Sequence, residues 1–316
     1  MTYDGTAAHL LLHLPPPPRA EVHLFVDALR RCGARSIERD GDRFVALFPA
    51  TDDIDALIAE VRGAVAASTS LTDPGISWER LSHEAWAAKW RTEQAARRVS
   101  DRIIVAPVGV AVPEAGQGAG TGPASGPEGG SAPGRGPTRR PDDVIVRLDP
   151  GVAFGTAEHP TTRACLALLD GRVEPGSRVL DVGAGSGILA IAAALLGADR
   201  VLALESDPVS CEAARRNVEV NGVADRVEVR EVEVGPADLK KAGRYDGVVV
   251  NIEARVSAPL VPAVPGALRP GGWFVLSGVV GAEREDAVAA ADRAGLALVE
   301  EAPERSWWSG VFELRR

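Results

Sequence analysis

The sequence carries little positive charge and almost no lysine. Its formal net charge is −9, because 35 lysines and arginines stand against 44 aspartates and glutamates, and lysine occurs only at positions 89, 240 and 241. A general nucleic-acid-binding protein needs an excess of basic residues to neutralise phosphates. The composition therefore predicts no direct nucleic-acid partner and leaves a basic protein partner open.

Cysteine is also scarce, and long apolar runs are missing. Cys32, Cys165 and Cys211 are far apart and form no CxxC pair, which suits buried thiols in a reducing compartment. No motif of a catalytic thiol surrounds them, and we expect no metal site. No run is long enough to span a membrane, and no basic segment precedes an apolar one at the N-terminus. We therefore expect a cytoplasmic protein without a membrane partner.

A chain of 316 residues with 45% hydrophobic residues is long enough for about two domains. Residues 1–76 predict a small α+β domain of the ferredoxin-like type. Its predicted strand, helix, hairpin and helix are, in order, His9 to Leu14, Glu21 to Cys32, Ser36 to Phe48 and Ile54 to Ala67.

Residues 77–101 predict a charged linker helix after this domain. Trp86 and Trp90 are four residues apart and share one face of that helix, and Trp78 lies near its start. We interpret the aromatic face as packing one domain on the other, with a ligand platform as the alternative.

Residues 102–316 predict a Rossmann-like α/β domain. Five strand patterns separated by helices imply a parallel, doubly wound sheet, and two strands near the end of the sequence complete a sheet of seven with an antiparallel hairpin at its edge. The seven predicted strands are Arg178 to Val182, Arg200 to Glu205, Val227 to Val232, Tyr245 to Ile252, Trp273 to Ser277, Leu296 to Glu301 and Trp307 to Leu314.

Two more apolar strands, Arg102 to Val112 and Asp143 to Leu148, enclose a segment of different composition. Residues 113–141 consist mostly of Gly, Pro, Ala, Ser and Thr. Such a segment has no apolar periodicity and cannot offset its ordering entropy. We predict a disordered, dispensable Gly/Pro-rich insertion in the loop of a hairpin.

The strongest chemical signal is a glycine turn between a buried strand and an apolar helix. The strand reaches an acid, Asp181, and the turn then carries Gly183, Gly185 and Gly187 at every second position. Glycines let backbone N–H groups approach a ligand, and the helix start adds a positive dipole end. A dinucleotide fingerprint places its third glycine at the sixth position, and here it is at the fifth, as in turns that bind S-adenosylmethionine. An ordinary strand-to-helix turn is the alternative.

Glu205 ends the next predicted strand, eighteen residues after Gly187. A carboxylate there can accept both ribose hydroxyls of a nucleoside, and a solvated acid at a strand end is the alternative. Asp207 comes two residues later, directly before Pro208, and is interpreted as the N-cap of the following helix. Asp181, at the end of its own strand, can hold the glycine turn or the cofactor's amino group.

Asn251 follows three valines at the end of the fourth strand of the sheet. Its carboxamide can accept an N–H from an amine and can also donate, so it can orient a nitrogen lone pair. A structural asparagine that caps the strand end is the alternative.

A glycine-rich loop runs from Leu148 to Thr162 and leads into a helix. We expect the polar groups at that helix start to face the glycine turn. His159 precedes a proline, so we interpret it as bracing the loop, with a catalytic base as the alternative.

The loop from Leu148 to Thr162, the glycine turn and the run Asn251 to Ala254 together resemble the bacterial ribosomal protein L11 methyltransferases. The resemblance covers about residues 80 to 316, and the loop ending in His159-Pro160-Thr161-Thr162 is its most distinctive part. It implies a class I S-adenosylmethionine-dependent methyltransferase domain that methylates lysine side chains and the α-amine of one ribosomal protein. It also implies that the N-terminal domain recognises that substrate, and we expect a monomer.

The resemblance further implies which residues form the site. Cofactor contacts would fall on Thr162, Gly183, Glu205 and Asn251, to which the sequence adds Asp181 and Gly185, and Asn251 would be the catalytic residue.

Three positions depart from the family pattern. Glu205 stands where the family commonly has Asp, Ala184 where Cys is frequent, and Glu253 adds a charge near the expected amine site. Two other functions therefore remain open: a methyltransferase acting on another protein lysine or a small amine, and a cofactor-binding module without transferase activity.

Overall fold

The computed structural model describes residues 9–34, 36–40, 42–81, 95–114, 137–149, 157 and 159–315. The chain divides into two compact units, Met1–Glu93 and Gln94–Arg316. Each unit has a hydrophobic core of its own.

The N-terminal unit is a βαββαβ domain with an antiparallel sheet of order β2-β3-β1-β4. This is the ferredoxin-like arrangement that the sequence predicts. Its elements are β1 (His9–Leu14), α1 (Val22–Arg31), β2 (Ser36–Asp40), β3 (Arg43–Pro49), α2 (Ile54–Ser68) and β4 (Ser77–Leu81).

Alternation of side chains along β1 and β3 builds the core of this unit. Leu10, Leu12 and Leu14 lie on the same face of β1 and are buried, as are Phe44 and Phe48 on β3. The two helices cover that face with a few apolar side chains each: Phe25, Leu29, Val61 and Val65. Alternate positions of a strand point to the same face, which brings these side chains together under the helices. Leu11 and Leu47, on the opposite face, are buried as well.

The prediction of a helix over residues 77–101 is wrong at both of its described ends. Ser77–Leu81 is strand β4, antiparallel to β1, and Arg97–Arg98 is the short strand β5. The open edge of β1 offers backbone partners that a local helical pattern cannot reveal. Trp78 is 44% exposed, and residues 82–94, with Trp86 and Trp90, lie outside the described part.

The C-terminal unit contains the predicted seven-stranded sheet, in the order β10-β9-β8-β11-β12-β14-β13. All neighbouring pairs are parallel except the two that involve β14. The strands are β8 (Arg178–Val182), β9 (Arg200–Glu205), β10 (Val227–Glu231), β11 (Tyr245–Asn251), β12 (Leu268–Val280), β13 (Leu296–Glu301) and β14 (Trp307–Leu314).

Helices cover both faces of this sheet. The helices α3 to α5 pack on one face, and α6, α8 and α9 on the other. Their bounds, with the short α7, are α3 (Pro160–Asp170), α4 (Ile188–Leu196), α5 (Pro208–Val220), α6 (Pro236–Lys241), α7 (Ala254–Ser257), α8 (Val264–Ala267) and α9 (Arg284–Arg293). None of the described helices is both long and apolar enough to cross a bilayer.

A small third sheet lies over the helices of the first face. It consists of β5, β6 (Ile103–Pro107) and β7 (Val144–Leu148), and β7 packs against α4 and α5. Because this cover adds to the main sheet, α4 is buried along nearly its whole length. An entirely apolar helix sequence is typical of that position.

The predicted hairpin between these last two strands is wrong, because β6 and β7 are parallel. Parallel neighbours need a connection that returns along the sheet, which a hairpin loop cannot supply. Residues 115–136 of the predicted insertion lie outside the described part. On either side of them, Glu114 and Arg139 form a bridge, and the Arg139 N–H donates to the Pro113 carbonyl at 2.7 Å.

An ion pair stabilises the start of β7. The Arg98 guanidinium makes two bonds to the Asp143 carboxylate, at 2.7 and 2.5 Å, and Asp143 is only 5% exposed. Its bonds to Arg98 hold the pKa of Asp143 at about 2. The ion pair therefore holds the chain in place where the connection from β6 enters β7.

Candidate functional site

The glycine turn follows β8 directly and requires glycine at each alternate position. Gly183, Gly185 and Gly187 have φ angles of 76°, 54° and 79°, a left-handed backbone conformation that costs other residues about 1–2 kcal/mol. The N–H groups of Gly183 and Ala184 both donate to the Leu204 carbonyl at the end of β9, at 2.8 and 3.1 Å. The turn is therefore held against the next strand of the sheet.

Gly183 also lies under a close approach from β11. A Cβ at this position would come within 2.2 Å of Ile252 Cγ2. The parallel register pairs Val182 with Val250, so the next residues along both strands leave the sheet side by side. The end of β11 therefore meets the floor of the turn, and only glycine fits between them.

Asp181 is 1% exposed and lies beneath the turn. Its Oδ2 accepts a hydrogen bond from the Ala190 N–H at 3.1 Å, which ties β8 to the first turn of α4. Its Oδ1 is buried and has no partner within the described part of the chain. The pKa of Asp181 is raised to about 7, chiefly by burial. The bond from Ala190 opposes this rise, and the charge of Glu205 adds to it.

Glu205 ends β9 and folds its carboxylate back onto the backbone around it. Oε2 accepts from the Gly185 N–H at 2.9 Å, and Oε1 accepts from the N–H groups of Ser206 and Asp207, each at 2.9 Å. The Ser206 hydroxyl lies 3.5 Å from Oε1 as a further donor, so of the about four acceptor positions of a carboxylate the one that remains is on Oε2. Asp207 caps α5 as predicted, accepting from the Ser210 N–H at 3.0 Å.

Two further buried oxygens have no partner within the described residues. Asn251 ends β11 and its Oδ1 is buried, and Thr162, in the first turn of α3, is fully buried with its Oγ1 unbonded. Buried polar atoms are nearly always satisfied in folded proteins. With Asp181, three predicted site residues therefore keep unused bonding capacity.

Contacts from β14 and the turn before it brace the start of α3. His159 Nδ1 lies 2.7 Å from Thr161 Oγ1, and the imidazole meets the Trp307 ring edge-on at 5.0 Å between centroids. Arg163 pairs with Glu304 and donates to the Ala157 carbonyl at 3.1 Å. These contacts fit the predicted bracing role of His159, while residues 150–156 and 158 of the loop lie outside the described part.

Comparison with known proteins identifies the family. The sequence model of the family "Ribosomal protein L11 methyltransferase (PrmA)" matches residues 133–314. A ribosomal protein L11 methyltransferase of Chloroflexus aurantiacus is 35% identical over 253 residues, covering 73% of this chain and 70% of that protein. The chain belongs to the ribosomal protein L11 methyltransferase family. Another relative with this name, from an Exiguobacterium species, is 32% identical over 83% of this chain and 76% of its own length.

A solved structure of the family agrees with the fold. The ribosomal protein L11 methylase of Lactobacillus delbrueckii subsp. bulgaricus has 27% sequence identity and a TM-score of 0.55, and it covers 71% of this chain and 100% of its own. Membership of this methyltransferase family makes S-adenosylmethionine the methyl donor. The glycine turn, in which only glycine fits at position 183, and the unsatisfied oxygens of Thr162, Asp181 and Asn251 fit a polar ligand of this kind.

Glu253 is the residue that, in the sequence analysis, departs from the family pattern by adding a charge near the expected amine site. Its Oε2 lies 2.7 Å from Arg255 Nε. The extra negative charge is therefore compensated locally, and less of it remains to attract an ammonium group.

Burial disfavours ionisation of two of the cysteines. Cys165 and Cys211 are buried, and burial raises the pKa of both thiols, that of Cys165 to about 12. A thiolate is thus disfavoured at neutral pH. The described residues also contain no cluster of His, Cys, Asp or Glu that could hold a metal ion.

A cavity of about 490 Å³ lies at the other edge of the sheet, where the strands begin. Arg172 and Arg269 line it, and both are paired with carboxylates, Arg172 with Glu300 and Glu313 and Arg269 with Asp246. Ligands of open parallel sheets bind at the carboxyl ends of the strands, so we assign the cavity no part in catalysis.

Sequence reasoning missed two asparagines, Asn217 on α5 and Asn221 at the C-cap of that helix. Asn217 is 2% exposed and bonds both to the glycine turn and to the residue after β7, and Asn221 bonds to β7 itself. Asparagine is a poor helix former, so Asn217 inside the helix is a weak local signal, and it does not reveal the distant partners.

Proposed function

We propose that this chain is an S-adenosylmethionine-dependent methyltransferase of ribosomal protein L11. Family membership over residues 133–314 carries the proposal, and relatives of similar length bear that name. The intact glycine floor and the unsatisfied strand-end oxygens support an active enzyme over a module that has lost its chemistry.

The cofactor would lie across the glycine turn. Gly183 and Gly185 would pass beneath it, and Glu205 would bind its ribose with the acceptor position that remains on Oε2. Thr162, Asp181 and Asn251 would supply their unsatisfied oxygens to its polar groups. When bound, S-adenosylmethionine supplies a methyl group already activated by a positively charged sulfur.

Asn251 is the proposed catalytic residue. Its Oδ1 is an acceptor at the strand end that adjoins Gly183. It would accept a hydrogen bond from an N–H of the incoming amine and thereby orient the nitrogen lone pair. Orientation of this kind supplies a large part of the rate in a transfer between two bound groups. An amine with a pKa near 10 must first lose a proton, and we propose that water accepts it, because His159 is engaged by Thr161 and Trp307.

The acceptors we propose are lysine side chains and the α-amino group of L11. We further propose that the ferredoxin-like unit recognises L11 and that the enzyme acts as a monomer in the cytoplasm, without direct contact to nucleic acid. The net charge of −9 suits a basic ribosomal protein as substrate.

The test is methyl transfer from labelled S-adenosylmethionine to purified L11, with a cell lysate as a second acceptor. We expect label in L11, and mass spectrometry should locate it on lysine and α-amino nitrogen. Label only on another protein or a small amine would favour the alternative of a methyltransferase with a different substrate. Cofactor binding without any transfer would favour the binding module.

Glu205→Gln tests the ribose assignment. Glutamine keeps the length of the side chain but replaces one acceptor oxygen by a donor, so the cofactor Kd should rise about tenfold, the effect of roughly one charged hydrogen bond. Calorimetry with S-adenosylhomocysteine measures it, and Glu212→Gln, on the half-exposed surface of α5, is the control. An unaltered Kd would remove Glu205 from the cofactor site.

A further inference from the structure

The outer edge of β7 is covered by side-chain amides. β7 is the edge strand of the small sheet. Asn221 accepts from the Arg147 N–H at 2.8 Å and donates to the Arg147 carbonyl at 2.7 Å. Asn217 accepts from the Asp149 N–H at 2.8 Å. The two asparagines thus replace the neighbouring strand that this edge lacks.

The spacing of the two elements makes this match possible. Residues two apart on a strand point their backbone groups to the same side and are separated by about 6.6 Å. Residues four apart on a helix are separated by about 6 Å along its axis. Asn217 and Asn221 therefore align with Asp149 and Arg147 without distortion of either element.

Asn217 differs from Asn221 because its second bond reaches the cofactor turn. Its Nδ2 donates to the Ser186 carbonyl at 2.9 Å, and the bond is buried. Ser186 lies between Gly185 and Gly187, and on its other side the Gly185 N–H is held by Glu205. One fully buried amide therefore joins the turn to the residue at which the loop before α3 begins.

We propose that Asn217 is a positioning residue of the cofactor site, which fixes the glycine turn relative to the chain leaving β7. The inference rests on the proposed function, since it assigns Asn217 to the site where S-adenosylmethionine would bind. Asn221 bonds to β7 and to the Asn217 carbonyl of its own helix, and it serves as the matched control. Comparing variants of Asn217 and Asn221 therefore distinguishes an effect of anchoring β7 from an effect of positioning the glycine turn.

The experiment measures binding of S-adenosylhomocysteine to the full chain by calorimetry, together with Tm. Asn217→Ala should raise the Kd about tenfold, because the turn loses its fixed position with one buried hydrogen bond. Asn221→Ala should leave the Kd within about twofold of that of the unaltered protein. Both variants should lower Tm by about the same amount, because each loses side-chain bonds to the backbone at β7.

Asn217→Asp adds a readout that anchoring alone would not change. An ionised aspartate can accept from Asp149 but cannot donate to Ser186, whereas a protonated one can do both. Burial raises the pKa of such a carboxyl, so the Kd ratio of Asn217→Asp to the unaltered protein should fall as pH is lowered. This variant also tests the inference if Asn217→Ala does not fold.

Four results would decide against the inference or its basis. An unaltered Kd in Asn217→Ala, or an equal rise in Asn221→Ala, would reduce Asn217 to a structural anchor. A Kd ratio independent of pH in Asn217→Asp would do the same. Failure of the unaltered protein to bind S-adenosylhomocysteine would instead overturn the proposed function.

Discussion

Gly183 is the residue where backbone and packing constrain the chain most tightly. Gly183→Ala would combine a φ of 76° with a Cβ 2.2 Å from Ile252 Cγ2. We expect the cofactor Kd to rise by about tenfold or more, since even a 1 Å misplacement can cost about a hundredfold in a bound reaction. Calorimetry with S-adenosylhomocysteine is the measurement.

Gly295→Ala separates backbone strain from the clash. Gly295 has a φ of 83°, yet nothing lies within 4 Å of the Cβ it would gain. It should lose about 1–2 kcal/mol of stability and keep its affinity. Equal affinity losses in both variants would mean that Ile252 does not set the floor of the site.

Asn251→Ala should separate activity from stability. The Asn251 Oδ1 has no hydrogen-bond partner among the described residues. Its removal therefore leaves no described donor unsatisfied and costs little folding free energy. Methyl transfer to L11 should fall about a hundredfold, the loss expected for a misoriented amine, while the cofactor Kd rises much less and Tm holds or increases. Single-turnover transfer and calorimetry measure the two effects, with Asn221→Ala as control, and unchanged turnover would contradict the proposed role.

Residues of the site were predictable where a strand ended in a polar residue. Asp181, Glu205 and Asn251 each follow an apolar run, and parallel strands bring such ends to one edge. Asn217 was not predictable, because its partners Ser186 and Asp149 lie far away in sequence. Long-range bonds from a side chain to the backbone leave no local pattern.

At the scale of elements, the same division holds between local and long-range information. The strand and helix patterns predict all seven strands of the main sheet to within a few residues, apart from the longer β12. They fail at β4, whose pairing depends on the open edge of β1, and at β6 and β7, whose parallel direction depends on the path between them. Propensity cannot decide either case, since both depend on pairing.

The crossover from β6 to β7 leads to a prediction about the insertion. Glu114 and Arg139 are bridged, so the described residues on either side of residues 115–136 lie together, and a four-residue glycine-serine linker should replace that segment. We expect unchanged methyl transfer and a gain of about 1.5 kcal/mol, because the change from 22 residues to four is about two and a half halvings of length, each worth about 0.6 kcal/mol of loop-closure entropy. Urea unfolding measures the gain.

Arg98→Ala in the shortened protein provides the contrast. It would leave the buried Asp143 carboxylate unpaired and should cost about 3–5 kcal/mol. A loss of activity on shortening alone would show that the insertion takes part in recognition.

For the molecule as a whole, two buried acids give stability opposite dependences on pH. Asp143 has its pKa lowered to about 2 from 3.8, so the stability it contributes is present above about pH 4 and is lost as pH falls towards 2. Asp181 has its pKa raised to about 7, so the folded state binds its proton more tightly than the unfolded state does. Its contribution therefore falls as pH rises from about 4 to about 7.

Asp181→Asn should remove the second dependence. Its free energy of unfolding, compared with that of the unaltered protein, should increase from about pH 4 to about pH 7 and then level off. Chemical unfolding at a series of pH values without cofactor measures it. A difference independent of pH would mean that Asp181 is ionised throughout.

The position of β14 governs when the enzyme can become active. β14 lies between β12 and β13, although the ribosome makes it after both. Glu304 and Trp307, at its start, also brace Arg163 and His159 at the entrance of α3. A nascent chain that lacks these residues has a gap inside its sheet and a loosely held Thr162. An enzyme that modifies a ribosomal protein is therefore itself inactive until β14 has been translated.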